Sequence, residues 1–136
     1  MIVDSSALVA ILWNEPDARV YAEALAQSGR CGMSTATYVE TAVVIDRAKD
    51  PVVSRRFDEL IEISNIELVA LSPRQAMLAR QAYRDFGKGS GSSARLNLGD
   101  CFAYALAADT REPLLFKGDD FTHTDVAAAV PTSPSS

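Results

Sequence analysis

Short apolar runs alternate with longer amphipathic segments along the whole chain. Four of the apolar runs have the length of strands, and apolar residues recur at helical spacing in the segments between them. The predicted strands cover residues 2–3, 31–34, 66–71 and 114–116. Strands that alternate with helices are typical of a parallel sheet with helices on both faces. We therefore expect an α/β fold: a single three-layer α/β/α domain with a central, mostly parallel sheet of four or five strands.

The predicted helices begin at residues that suit a helix N-terminus. They cover about residues 7–13, 16–28, 35–49, 51–64, 73–86 and 101–109. Ser5 or Ser6 is expected to cap the first, and Pro16 to start the second. The third is expected to have an apolar side that includes Val39, Ala42, Val43 and Ala48.

Composition is that of one ordinary domain, with 136 residues of which 48% are apolar. No apolar run approaches the roughly 18 residues that a membrane span needs. We expect a cytoplasmic protein with no membrane partner. The two cysteines, Cys31 and Cys101, match no metal-ligand spacing, and we expect both to be buried free thiols.

The net charge of −5 argues against a protein whose whole surface binds nucleic acid. It is compatible with an enzyme that acts on nucleic acid through bound divalent cations, because the cations supply positive charge locally.

Carboxylates follow the predicted strands at one edge of the sheet. Asp4 ends the first strand, Asp100 opens a helix after the glycine-rich segment 87–93, and Asp119 and Asp120 follow the fourth strand. Glu40 lies in the third helix, about one and a half turns from its start. Each acid also has a structural interpretation: Asp4 and Asp100 as helix caps, Asp119 and Asp120 as turn residues, and Glu40 as a solvated residue.

Carboxylates that converge on a small volume raise one another's pKa, and a hard divalent cation such as Mg²⁺ relieves that conflict. Such a site suits phosphodiester hydrolysis, because the metal activates water and screens the phosphate. Lys88, which flanks the glycine-rich segment, is either solvated or in contact with a substrate phosphate. His123 is expected in a surface turn, with general-base work as the alternative. Trp13 and Tyr38 are expected in packing contacts, with base stacking as the alternative.

Five segments in order resemble the VapC-type toxins of the PIN-domain ribonuclease family. They are Ile2-Val3-Asp4-Ser5-Ser6-Ala7-Leu8-Val9-Ala10, Glu40 after Met33-Ser34-Thr35, Tyr83-x-x-Phe86-Gly87-Lys88-Gly89, Leu96-Asn97-Leu98-Gly99-Asp100-Cys101-Phe102-Ala103-Tyr104, and Pro113-Leu114-Leu115-Phe116-Lys117-Gly118-Asp119-Asp120-Phe121. The resemblance implies a PIN-like ribonuclease domain over residues 1–130. Residues 131–136 are expected to form a disordered polar tail.

The same resemblance implies a Mg²⁺-dependent endoribonuclease, with Mn²⁺ also supporting activity, that a cognate VapB-type antitoxin holds inactive. Asp4 and Asp100 match the principal metal ligands, and Glu40 matches the helix-borne acid. The fourth acid falls on Asp119 or Asp120. The resemblance further implies a homodimer and an RNA substrate, and it matches Ser6 to a hydroxyl that supports Asp4.

Three other functions fit parts of the pattern less well. A phosphorelay receiver would need an aspartate at the end of the third strand, where the sequence has Leu71-Ser72-Pro73. An aspartyl phosphatase would need a second aspartate at the position of Ser6. A catalytically inactive PIN-like domain that only binds a protein partner would not need the acidic residues.

Overall fold

The computed structural model describes residues 1–131. Its strands are Ile2–Val3 (β1), Cys31–Ser34 (β2), Ile66–Val69 (β3) and Leu114–Leu115 (β4). Its α-helices are Ser5–Leu12 (α1), Ala18–Gln27 (α2), Thr35–Asp46 (α3), Pro51–Ile63 (α4), Pro73–Phe86 (α5) and Leu98–Thr110 (α6). A 3₁₀ helix spans Asp120–His123. The expected tail falls, apart from Pro131, outside the described residues.

The predicted parallel sheet is confirmed. Within residues 1–131 it has four strands in the order β3-β2-β1-β4, and every pairing is parallel. The last described segment extends the β4 edge, because Leu114 N–H donates to the carbonyl of Ala127 and Ala129 N–H donates to that of Leu114, each at 2.8 Å.

The alternating side chains of the strands enter two separate cores. Ile2, Leu114 and Phe116 pack with buried residues of α5 and α6 on one face. Val3, Met33 and Leu115 pack with α1, α2 and α4 on the other. These two cores form the expected three layers, and they leave the carboxyl ends of β1 and β2 at one edge.

Helices α5 and α6 form an antiparallel pair. At one end, Lys88 N–H donates to the carbonyl of Leu96 at 3.0 Å, so the chain leaving α5 lies beside the chain that enters α6. At the other end, Arg74 pairs with Asp109 at 2.7 Å. The start of α6 is therefore next to the end of α5.

Helix α3 packs through a different face from the one expected. Val39 and Val43 are exposed, and Thr37, Thr41 and Ile45 are buried. The Thr41 hydroxyl donates to the carbonyl of Thr37 at 2.8 Å, so this polar side chain meets its hydrogen-bonding need within the helix and can be buried.

The structure decides how α1 begins and changes where α2 begins. Asp4, one of the candidate caps, caps α1, and Ser5 and Ser6 do not. Helix α2 begins at Ala18 rather than Pro16, and the side chain of its N-cap residue Asp17 makes no capping bond. The Asp17 carboxylate instead accepts from Lys117 and Tyr21, which draws it away from the helix end.

Several helix and strand ends are shifted by a few residues. Helix α3 ends at Asp46, β3 ends at Val69, α6 begins at Leu98 and β4 ends at Leu115. Cys31 and Cys101 are buried and free, as predicted. Among the helices within residues 1–131, none combines the length and apolar character that crossing a membrane requires.

Candidate active site

Asp4 lies at the junction between β1 and α1 and is only 2% exposed. Its Oδ2 accepts a hydrogen bond from the backbone N–H of Ser6 at 3.0 Å and another from the Ser6 hydroxyl at 2.6 Å. Its other carboxylate oxygen, Oδ1, is buried and has no hydrogen-bond partner in the described part of the chain. An unpaired buried carboxylate oxygen is costly, so this atom marks a position where a ligand would be stabilising.

The Ser6 hydroxyl connects two loops at the edge of the sheet. It donates to Asp4 and accepts from the backbone N–H of Lys117 at 2.9 Å. The ammonium of Lys117 in turn pairs with Glu15 at 3.1 Å and with Asp17 at 2.9 Å. The segment after β4 is thereby tied both to the Asp4 carboxylate and to the α1–α2 connection.

Glu40 lies in the second turn of α3 and its side chain is half-buried. The Ser5 hydroxyl donates to its Oε1 at 3.2 Å. Its Oε2 lies against the backbone of α6, because a Cβ added to Gly99 would be 1.5 Å from that oxygen. Glu40 therefore reaches from α3 to the start of α6, one residue before Asp100.

Asp100 is held by a capping box at the start of α6. Its backbone N–H donates to Oδ1 of Asn97 at 2.9 Å, and its Oδ2 accepts from the N–H of Asn97 at 3.0 Å. Asp100 therefore caps α6, as expected of its structural role, and it also belongs to the acidic cluster.

The carboxyls of Asp4, Glu40 and Asp100 are electrostatically coupled. Burial is the main cause that raises the pKa of Asp4 to about 6, and the charge of Glu40 raises it further. Burial also raises the pKa of Asp100 to about 6, with added contributions from the charges of Asp4 and Asp120. Burial, followed by the charge of Asp100, raises the pKa of Glu40. The structure brings these three acids together at one edge of the sheet.

The two acids after β4 differ in their relation to this cluster. Asp120 contributes to the raised pKa of Asp100. Asp119 precedes the 3₁₀ helix, and its carbonyl accepts hydrogen bonds from the N–H of Thr122 at 3.0 Å and from its hydroxyl at 2.6 Å. Asp120 is thus the one whose charge acts on the cluster, while the Asp119 backbone stabilises the turn.

The sequence matches the PIN-domain family over residues 1–127. Ribonuclease VapC28 of Mycobacterium tuberculosis is 55% identical over 130 residues, which covers 96% of this chain and 98% of the relative. Among solved structures, the sarcin–ricin-loop-cleaving toxin VapC20 of M. tuberculosis superposes with a TM-score of 0.73 at 15% identity, covering 96% of this chain and 98% of that one. A toxin–antitoxin complex from Klebsiella pneumoniae gives 0.67 at 18% identity, covering 91% and 92%.

The chain belongs to the VapC-type ribonucleases of the PIN-domain family. The predicted family resemblance is confirmed, and the structural neighbours share its fold. Both likenesses extend over nearly the full length of the chain.

The donor set of this PIN-domain site suits a hard cation better than a soft one. Within residues 1–131, no group of three or more histidine, cysteine or acidic side chains is arranged to hold a metal ion. Mg²⁺ does not need such a cage, because it is usually bound by one or two carboxylates and keeps several waters. The unpaired Oδ1 of Asp4, coupled to Asp100, fits that mode of binding.

Three aromatic residues outside the acidic cluster differ in exposure, and only Tyr38 has the packing contact expected of it. Tyr38 stacks on Phe57 with ring centroids 5.6 Å apart, as expected for a packing residue. Trp13 is 41% exposed at the end of α1. His123 lies exposed in the 3₁₀ helix.

Sequence reasoning missed the supporting roles of Ser5, Asn97, Gly99 and Lys117. The Asn97-x-x-Asp100 spacing is a capping-box pattern and could have been recognised. The contact between Gly99 and Glu40 had no local signal, because it joins two helices that are far apart in sequence.

Proposed function

We propose that this chain is the toxin of a toxin–antitoxin pair and acts as a Mg²⁺-dependent endoribonuclease. The observation that best supports the proposal is the buried, unpartnered Oδ1 of Asp4 beside two further carboxylates with raised pKa values. These acids repel one another, and a bound divalent cation would remove that repulsion.

Asp4 and Asp100 would hold the cation, and Glu40 and Asp120 would add negative charge around it. When bound, Mg²⁺ would activate a water and screen the negative charge of the scissile phosphate. Ser6 keeps Oδ2 of Asp4 engaged, which leaves Oδ1 for the ligand. Gly99 leaves room for the carboxylate of Glu40, and Ser5 orients it.

Glu40 is suited to manage a proton at this site. Burial raises its pKa above that of an exposed glutamate, which makes its carboxylate a stronger base. We propose that Glu40 receives the proton that the attacking water releases.

Cleavage of a fluorophore- and quencher-labelled single-stranded RNA by the purified chain tests the proposed reaction. We expect cleavage with Mg²⁺ or Mn²⁺, none in EDTA, and little with Ca²⁺, whose looser coordination geometry positions water less strictly. Full activity in EDTA would contradict metal dependence. Absence of cleavage of any RNA with every cation would favour a domain that only binds a partner.

We further propose that a VapB-type antitoxin inhibits the chain and that the chain forms a homodimer. The match to a toxin–antitoxin complex from K. pneumoniae supports the first statement, and the resemblance to VapC-type toxins supports both. Within residues 1–131 the carboxylates of Asp4, Glu40 and Asp100 form no ion pair, so the cluster would attract an arginine from the antitoxin, since guanidinium binds carboxylates bidentately. Addition of a purified VapB-type antitoxin should suppress RNA cleavage by the chain, and light scattering should give twice the mass of the chain.

A further inference from the structure

A basic surface extends from the acidic site along α5 in a protein that is acidic overall. Arg80 and Arg84 are four residues apart on this helix, and both side chains are exposed. Residues at this spacing lie on one face of a helix. Lys88 follows just beyond the helix end and is also exposed, as is Arg95 on the return of the same loop. We call Arg80, Arg84, Lys88 and Arg95 the basic track.

In the part of the chain that the structure describes, the members of the track do not pair with acidic side chains. Within residues 1–131, none of the ion pairs involves any of the four. Arg74, at the other end of α5, is instead neutralised by Asp109. The acidic residue Asp85 on α5 acts on Tyr104 of α6 and so lies toward that helix. The track therefore keeps its positive charge available to a ligand.

The backbone places one end of the track next to the acidic site. Lys88 N–H donates to the carbonyl of Leu96, and Leu96 N–H donates to that of Phe86 at 2.8 Å. Leu96 directly precedes the N-cap of α6, four residues before Asp100. The ammonium of Lys88 lowers the pKa of Asp100, whereas the charges of Asp4 and Asp120 raise it. From Lys88 the track leads to Arg84 and then Arg80, away from Asp100.

Two further features belong to this surface. Met77, Arg80, Gln81 and Arg84 line a concavity of about 320 Å³. Arg95 has a φ of 54°, a left-handed conformation that is unfavourable for a residue with a side chain. The adjacent Ala94 and Leu96 are fully buried and hold it there.

From this geometry we infer that the basic track binds the phosphate backbone of the RNA strand on one side of the scissile bond. The inference rests on the proposed ribonuclease function and adds where the substrate lies on the protein. A metal at the acidic site would hold the phosphate that is cleaved, and Lys88, Arg84 and Arg80 would contact phosphates that are successively farther along the strand. Arginine and lysine contacts of this kind give affinity without reading sequence.

The salt dependence of RNA binding tests the track directly. The full-length Asp4→Asn variant, which is expected not to cleave, is titrated with a fluorescein-labelled single-stranded RNA at several salt concentrations. In this background Arg80→Gln/Arg84→Gln should lower the slope of log affinity against log salt by about 0.7 for each phosphate that is no longer neutralised, or about 1.4 for the pair. By the same relation, Lys88→Gln should lower the slope by about 0.7.

Matched controls remove the same charge elsewhere. Arg47, at the C-cap of α3, and Arg56, on α4, are exposed and form no ion pair within residues 1–131, so Arg47→Gln/Arg56→Gln should leave the slope unchanged. Lys49, beyond the end of α3, is the control for Lys88. In an otherwise native chain, the Arg80/Arg84 double variant should raise KM several-fold and leave kcat nearly unchanged.

The outcomes separate this inference from the proposed function. If the chain cleaves RNA but the track variants keep the slope of their controls, the track does not bind RNA. If the track variants alter only antitoxin binding or the mass of the oligomer, the surface serves a protein partner and the inference is wrong. If the native chain does not cleave RNA and Asp4→Asn does not bind it, the proposed function fails as well.

Discussion

Glu40 occupies the space that a side chain at position 99 would need. A Cβ on Gly99 would be 1.5 Å from Oε2 of Glu40. The clashing atom is the end of a flexible side chain, so Gly99→Ala should push the carboxylate away and leave the fold intact. A displacement of about 1 Å at a reacting group can cost on the order of 100-fold in rate. We expect RNA cleavage by Gly99→Ala to fall by about that factor, with no loss of thermal stability.

Gly29→Ala is the matched control for this variant. Gly29 has nothing within 4 Å of the added Cβ, so its activity and melting temperature should stay close to those of the native chain. Native cleavage rates in Gly99→Ala would show that the position of Glu40 is unimportant to the reaction.

The contact between Gly99 and Glu40 also shows where sequence reasoning stops. The strands, their parallel order and the presence of acids at one edge follow from alternating apolar patterns and from the rule that parallel strands share their carboxyl edge. Whether a half-buried glutamate on α3 meets a glycine on α6 depends on how two helices pack, and that is a tertiary property.

Helix α3 gives the second example. The pattern predicted an apolar side at Val39 and Val43, yet these are exposed and Thr37 and Thr41 are buried. Threonine counts as polar in a periodicity, but the Thr41 hydroxyl bonds to the carbonyl of Thr37 one turn earlier. Both faces of α3, the one with Val39 and Val43 and the one with Thr37 and Thr41, carry β-branched residues. The sequence alone could not show which of the two would pack against the rest of the protein.

Asp4 combines two functions that sequence reasoning treated as alternatives. One oxygen caps α1 through Ser6, and the other is buried and unpartnered. A carboxylate has enough acceptor positions for both tasks. Asp4 can therefore cap α1 and bind a ligand at the same time.

The stability of the metal-free chain should fall as pH rises from about 4 to about 7. The pKa of Asp4 and that of Asp100 are each about 6 in the folded protein, above the ordinary value of 3.8. Between these values the folded state binds more protons than the unfolded state, so the stabilisation is complete below pH 3.8 and is lost as pH rises through 6. Urea unfolding in EDTA at a series of pH values measures this.

Two surface ion pairs make the opposite contribution to the pH dependence of stability. Their contribution cancels when the native chain is compared with a variant that keeps both pairs. The pKa values of Asp17 and Glu112 are lowered by hydrogen bonds to Lys117 and to the N-terminal ammonium, so their contributions are lost as pH falls. Because these pairs are unchanged in Asp4→Asn, the difference between the native chain and this variant reports on Asp4 and on the part of the raised pKa of Asp100 that the charge of Asp4 causes. The difference should be larger at pH 7.5 than at pH 4.5, and equal differences would contradict the raised pKa of Asp4.

Replacing Asp4 by Asn should abolish cleavage and stabilise the metal-free protein. The amide keeps an acceptor for Ser6 and removes a buried charge, whose cost at neutral pH is on the order of 2 kcal/mol. The melting temperature in EDTA should therefore rise by several degrees. Adding Mg²⁺ should raise the melting temperature of the native chain and have much less effect on Asp4→Asn.

Asp58→Asn is the control for charge removal, because Asp58 is exposed on α4. It should cleave RNA normally and respond to Mg²⁺ like the native chain. An Asp4→Asn protein that cleaves RNA at the native rate would remove Asp4 from the proposed metal site.

The adjacent acids Asp119 and Asp120 provide a matched pair of substitutions. Asp120 contributes to the raised pKa of Asp100, so its charge acts on the acidic cluster, whereas the Asp119 backbone carbonyl bonds to Thr122 and needs no carboxylate to do so. We therefore expect Asp120→Asn to slow cleavage by tenfold or more and to shift the Mg²⁺ dependence to higher concentration. Asp119→Asn should stay within about twofold of the native rate, because an asparagine leaves the backbone bond in place. Initial cleavage rates across a Mg²⁺ titration of both variants decide between them. The reverse order of effects would assign the fourth acidic position to Asp119, and it would mean that the segment after β4 turns its first carboxylate toward Asp100 when the metal is bound.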